Sequence, residues 1–129
     1  FADLDKREGK KLTRTLRNRY FNEGEVILRK DAVARSVFFI ASGAVELETA
    51  GQVLRLGRGE MFGQLSILMK KPRRTEVRAI APSHVLELDE QRFRRLLGKS
   101  AALRSAVHDS AAKRGIDATA LLTNAKGAS

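Results

Sequence analysis

The sequence predicts a mainly β fold, a roll or barrel of short antiparallel strands with helices at both ends. Three observations carry that expectation. Between Val26 and Leu88, short runs of β-branched, aliphatic and aromatic residues follow one another at close intervals. Glycines stand between them at 43, 51, 57 and 59, where tight turns are needed. Outside this stretch the apolar residues switch to three/four spacing, the period of an amphipathic helix.

The elements follow in order. Leu4, Leu12, Leu16 and Tyr20, the last three spaced by four with basic residues between, predict an N-terminal helix over residues 3–20. Asn22-Glu23-Gly24 breaks the pattern as a turn. The roll is expected over 24–88. Val26-Ile27-Leu28 is one strand, and Val37-Phe38-Phe39-Ile40 is a fully apolar second. Val45 and Leu47 alternate with Ala44, Glu46 and Glu48, as a half-buried strand should. Val53-Leu54-Arg55-Leu56 follows after Gly51. Thr75, Val77 and Ala79 then alternate with Glu76 and Arg78, and Leu86 and Leu88 flank Glu87.

Two C-terminal helices are expected over 89–115. Asp89 can cap the first, which holds Phe93, Leu96 and Leu97 with Gly98 as its stop. Ser100 can cap the second, with Leu103, Ala106, Val107, Ser110 and Ala111 on one face and Gly115 at its end. The domain is thus expected to span 1–115. Residues 116–129, small and polar apart from Leu121-Leu122, read as a flexible tail.

The 129 residues suit one domain, and no apolar run approaches the ~20 residues a spanning helix needs. The opening FADLDKREGK is charged, unlike a secretory signal, and Cys is absent. A cytoplasmic setting is the expectation. Because Phe1 rather than Met comes first, so is a parent chain larger than this one. Lys and Arg number 25 against 15 Asp and Glu, a net charge of +10 that favours anionic partners or is simply a solvated basic surface.

Catalysis finds no footing. His84 and His108 lie far apart and lack metal-ligand partners at helical spacing, so no metal site is expected. The carboxylates are scattered among basic residues, which reads as surface ion pairing. Nucleophile elbow and Walker-type loops are both missing. The chain is expected not to be an enzyme.

One stretch, residues 57–79, stands apart. Gly63 frees the backbone before a short segment, 64–69, that fits one helical turn with outward amides able to seat an anion. Ten residues on, Pro72-Arg73 sets an Arg behind a stiff residue at the start of a strand, placed to bind phosphate bidentately. A Gly turn followed by an exposed basic loop explains the same residues.

Phe62-Gly63-Gln64-Leu65-Ser66-Ile67-Leu68 followed by Pro72-Arg73 and Val77 resembles the phosphate-binding cassette of cyclic-nucleotide-binding domains. Phe38-Phe39-Ile40-Ala41-Ser42-Gly43-Ala44-Val45, Leu56-Gly57-Arg58-Gly59-Glu60 and Phe93-Arg94-Arg95-Leu96-Leu97 are similar to further family motifs in the same order. The likeness runs from about Phe1 to Arg114.

That resemblance implies a jelly-roll-like β-roll, a double-stranded β-helix, with a short cassette helix, and cAMP or cGMP as ligand with no cofactor. Arg73 would pair with the cyclic phosphate, and amides around Leu65, Ser66 and Thr75 would bind its oxygens. Phe62 and Gly63 open the cassette. Gln64 stands where the family carries the Glu that accepts the ribose 2′-hydroxyl, keeping an acceptor and losing a charge. Arg74 and Glu76 replace small or hydroxyl residues beside the phosphate, and Asp31-Ala32 replaces Gly-Asp in a remote turn. Residues 100–114 resemble the family's mobile lid, with Lys113 or Arg114 in reach of the base; a permanently docked core helix needs the same apolar stripe.

The implied role is regulatory, with ligand-driven lid movement passed to an effector in the parent, expected to be a membrane channel or transporter and a route to homo-oligomers. No helix-turn-helix follows the lid, so nucleic acid is not an expected partner. A degenerate roll that binds no nucleotide and serves assembly or interaction is the rival. A cupin-like enzyme is undercut by missing metal ligands.

Overall fold

A computed structural model gives the structure, which describes residues 16–33, 35–49, 51–70 and 76–113. Eight strands and three helices occur among them. In chain order these are β1 (Arg17–Phe21), β2 (Val26–Leu28), β3 (Ser36–Ser42), β4 (Ala44–Thr49), β5 (Gln52–Gly57), β6 (Met61–Phe62), α1 (Gln64–Met69), β7 (Val77–Ala79), β8 (Ser83–Asp89), α2 (Glu90–Lys99) and α3 (Ala101–Lys113). The strands form two four-stranded sheets, ordered β1-β8-β3-β6 and β2-β7-β4-β5, with every pairing antiparallel. Mainly β with flanking helices is what the sequence pattern predicts.

The fully apolar run in β3 has a direct cause. Side chains alternate across a strand, and β3 is buried on both faces. Phe38 and Ile40 join Val45, Leu47, Leu56, Phe62, Val77 and Val85 in one cluster, to which both sheets contribute. Val37 and Phe39 join Met61 and Leu88 in a second cluster with the helical residues Leu65, Ile67, Leu68, Phe93, Leu97, Leu103, Val107 and Ala111. The first sheet therefore carries roll interior on one side and all three helices on the other. By contrast, β4 alternates Val45 and Leu47, both buried, with Glu46, which pairs with Arg55 across the ladder at 3.4 Å.

The expected helix over 3–20 is corrected at its end: residues 17–21 are a strand, paired with β8 from Arg17↔Glu87 to Phe21↔Ser83. Residues 3–15 lie outside the described residues. The four-residue spacing misled because Tyr20 is not an apolar anchor; it is 72% exposed and stacks on His84 at 4.5 Å. Among the described residues of this segment, Leu16 packs on the helix-side cluster and Phe21 on the roll side. Arg19 adds an ion pair to Glu87 at 3.0 Å across the ladder. Ladder pairing and cross-strand contacts here outweigh a weak helix preference.

Gly98 is a second correction, since α2 runs through it to Lys99. The chain leaves the helix at Ser100, which is extended, and its hydroxyl accepts from the Leu103 amide at 3.0 Å to cap α3. Ala106, expected on the buried face of α3, is exposed. Gly115 and the tail lie outside the described residues, where no helix end can be compared.

Asp89 caps α2 as expected, accepting from the Arg92 amide at 2.9 Å and pairing with the Arg92 guanidinium. The Arg92 amide bond, chiefly, holds its carboxyl below the ordinary 3.8. A carboxylate depressed in the folded state stabilises above its unfolded value, and that contribution fades as pH falls through the folded one. Asp89→Ala is therefore expected to cost about 1 kcal/mol at neutral pH. In urea unfolding followed against pH, the gap to wild type should shrink below about pH 4.

Candidate functional site

The approach to the cassette is pinned by backbone bonds. The Gly59 amide donates to the Ile40 carbonyl and the Ile40 amide to the Glu60 carbonyl, both at 2.9 Å. The Glu60 carboxylate accepts from the Gly57 amide at 2.7 Å, closing the turn on itself. β6 is thereby laid beside β3, with Phe62 opposite Phe38 and the two rings stacked at 5.1 Å. At Gly63 the backbone turns left-handed, φ 90°, and α1 begins at Gln64. Lys70, φ 55°, ends it with its amide on the Ile67 and Ser66 carbonyls.

Of the residues expected at the site, Phe62 is a buried core residue of the roll interior, and Leu65, like its neighbour Ile67, faces the helices. Gly63 and Ser66 are half-buried at the start of α1. Arg73, Arg74, Thr75 and Arg114 lie outside the described residues. Glu76 pairs with Arg78 at 3.0 Å on the surface, and Arg78 also donates to the Gly24 carbonyl. Asp31 holds φ 68°, a conformation that favours glycine and that Asp tolerates.

Gln64 is the unusual member. Its side chain is 0% exposed, although it is polar and opens a short helix. Nε2 donates to the Ser110 hydroxyl of α3 at 2.8 Å. Oε1 is buried and has no hydrogen-bond partner among the described residues. Leu103, Val107 and Ala111, spaced by four along α3, share one apolar cluster with Leu65 and Leu68 of α1. The segment expected as a lid thus shares the helix-side core with the cassette helix, packs on α2, and is bonded to α1 through Gln64–Ser110.

Three residues that the sequence reading left without a role tie the helices together. Arg94 of α2 donates to the Ile67 carbonyl at 2.7 Å while its Nε meets Glu90 at 3.1 Å. Arg104 of α3 donates to the Leu97 carbonyl near the end of α2 at 2.6 Å. Ser110 was legible only as one position on an apolar stripe, where a lone hydroxyl is the available signal. For Arg94 the signal was the Glu90/Arg94 pair at i,i+4. Arg94→Met is expected to cost about 1–2 kcal/mol, because an ionic donor to a helix-end carbonyl is lost. Urea denaturation checks this, with Arg94→Lys expected to recover part of the loss.

The histidines do no visible chemistry. His84 bonds Asn18 at 2.8 Å, and His108 lies 3.8 Å from its neighbour Asp109. Among the described residues no group of three or more His, Cys, Asp or Glu is placed to hold a metal, and no helix is long and apolar enough to cross a membrane.

Comparison with known proteins agrees with this geometry. The family described as "Cyclic nucleotide-binding domain" matches residues 18–100. A cyclic nucleotide-gated potassium channel of Rhizobium etli is 31% identical over 103 residues, 80% of this chain and 29% of the channel. A cAMP-dependent protein kinase regulatory subunit of Dictyostelium discoideum is 32% identical over 104 residues, 74% of this chain and 32% of the subunit. The solved structure of PKAR CBD2 with Sp-2Cl-cAMPS bound superposes with a TM-score of 0.73 at 27% identity, covering 93% of this chain and 86% of that one. The chain spans less than a third of the length of these two curated relatives.

Proposed function

The chain belongs to the cyclic nucleotide-binding domain family, and on that premise we propose that it is a regulatory module binding cAMP or cGMP in the cassette over residues 62–75. The phosphate is bound by Arg73, seconded by Arg74 and by the amides of Leu65, Ser66 and Thr75. The ribose 2′-hydroxyl donates to Gln64, and Arg114 reaches the base. No bond of the ligand is made or broken. Its energy goes into the position of α3, which passes the change to an effector elsewhere in the parent chain, a cytoplasmic arrangement beside a membrane channel or transporter.

The observation that carries this reading is the direct bond from cassette to terminal helix. In this reading Gln64 is a ligand contact, by resemblance to the family motif, and the same amide is held by Ser110 of α3 at 2.8 Å. A ligand that touches one end of that amide cannot leave α3 unaffected. Calorimetric titration with cAMP and with cGMP tests the reading: micromolar binding of either supports it. Absence of heat at millimolar nucleotide rejects it in favour of a roll used only for assembly. Full enclosure of Gln64 is the observation on that rival's side.

A further inference from the structure

The Gln64 amide offers one donor group and one acceptor, and the structure uses only the first. Nε2 is committed to Ser110 Oγ at 2.8 Å, which fixes the rotation of the amide about its last torsion. Among the described residues Oε1, which is buried, has no donor. The buried side chains that α1 and α3 add to their shared cluster, Leu65, Ile67, Leu68, Leu103, Val107 and Ala111, are all aliphatic and cannot supply one. A buried acceptor left unpaired is costly, so the docked position of α3 carries an unmet demand for a hydrogen-bond donor at this one atom.

We propose that Ser110 is a positioning residue that makes ligand-hydroxyl recognition and α3 docking a single coupled event. By holding Nε2, it orients Oε1 as the unpaired acceptor of Gln64, so the site favours a ligand that donates there. Resting on the reading above, that donor is the ribose 2′-hydroxyl. Its arrival removes the penalty of the docked state, and linkage requires the same free energy to appear twice, as tighter binding and as firmer docking of α3. The glutamine suits this task better than a carboxylate would. A carboxylate only accepts, whereas an amide donates to the helix and accepts from the ligand without burying a charge.

The test titrates the full chain with the better-bound of cAMP and cGMP and with its 2′-deoxy analogue, in wild type, Ser110→Ala and Ser110→Thr. Wild type is expected to favour the ribonucleotide by about tenfold, the worth of one buried hydrogen bond. Ser110→Ala should shrink that preference to about twofold, by weakening the ribonucleotide and leaving the deoxy analogue nearly unchanged. Ser110→Thr, which keeps the hydroxyl, should retain the preference. Hydrogen exchange of α3 amides gives the second readout: the ribonucleotide should slow it more than the deoxy analogue in wild type, and equally in Ser110→Ala. A preserved preference in Ser110→Ala overturns the inference and leaves the cyclic-nucleotide reading standing. Tighter ribonucleotide binding by Ser110→Ala also overturns it, because Ser110 would then be competing with the ligand. A wild type that binds neither nucleotide overturns the reading, and the inference with it.

Discussion

Gly43→Ala is expected to cost about 3 kcal/mol or more of folding stability, the sum of a strained backbone, a steric overlap and a broken polar bridge. Gly43 joins β3 to β4 at φ 92°, a conformation that residues with a Cβ rarely adopt. An added methyl would also lie 2.3 Å from Ser83 Oγ, 2.5 Å from the Pro82 carbonyl oxygen and 2.7 Å from Ser83 Cα. Two of those atoms are backbone, so no rotamer change relieves the contact. Ser83 is buried, and its hydroxyl accepts from the Ala44 amide at 3.2 Å and bonds the Ala81 carbonyl at 2.8 Å. Moving Ser83 aside would strip those partners and disturb β8 at the start of its ladder with β1 and β3. Urea unfolding measures the loss. Gly51→Ala is the internal control, with a similar φ of 76° and nothing within 4 Å of its added methyl. It should lose only the conformational part, about 1–2 kcal/mol. Equal losses at the two sites would mean that the close approach of the β3–β4 turn to β8 is not maintained in solution.

The roll was legible in the sequence wherever a segment's pattern had a single cause. Val45/Leu47 and Val77/Ala79 alternate because one face of each strand is buried, and both appear as strands with those residues inside. The run Val37–Ile40 was equally legible, since a strand buried on both faces has no other way to be written. At residues 16–20 the text was ambiguous. Leu16 and Tyr20 sit one helical turn apart, but the register with β8 that makes residues 17–21 a strand depends on partners more than sixty residues away. No local window contains that information. Gly98 failed for a related reason: glycine is a permissive helix end, and the true end is set by Ser100 capping the next helix.

The site was legible as a motif and illegible as a mechanism. The cassette residues stand in family order, and the short helix from Gln64 follows Gly63 as expected. The sequence showed neither that Gln64 is enclosed nor that its donor goes to Ser110. Both facts arise from packing two helices separated by over thirty residues of chain. The bonds Arg94–Ile67 and Arg104–Leu97 belong to the same class, as long side chains reaching carbonyls near helix ends. Together they chain α1 to α2 and α2 to α3, so a displacement of the cassette helix has two routes to α3, one through these arginines and one through Gln64.

The strongest effect on ligand binding is expected at Arg73. In the proposed reading its guanidinium meets two phosphate oxygens at once, following the conformationally stiff Pro72. Truncating one partner of a partly desolvated charged pair costs about 2–5 kcal/mol, so Arg73→Ala should weaken cyclic-nucleotide binding by about thirtyfold to several thousandfold. Arg73→Lys keeps the charge and loses the fork, and should fall between. Arg74→Ala tests the register. In the proposed reading Arg74 adds charge and Arg73 supplies the bidentate contact, so the loss should be within about fivefold and should shrink as salt is raised. All three variants are expected to unfold at the wild-type urea midpoint without ligand, which separates a binding loss from a folding one. The ribonucleotide and its 2′-deoxy analogue should lose affinity in equal proportion in Arg73→Ala, because the phosphate contact is shared by both. If Arg74→Ala abolishes binding while Arg73→Ala spares it, the cassette is misregistered by one residue. If the two ligands lose unequally, phosphate and ribose are not read by separate groups, and the division of labour between Arg73 and Gln64 fails.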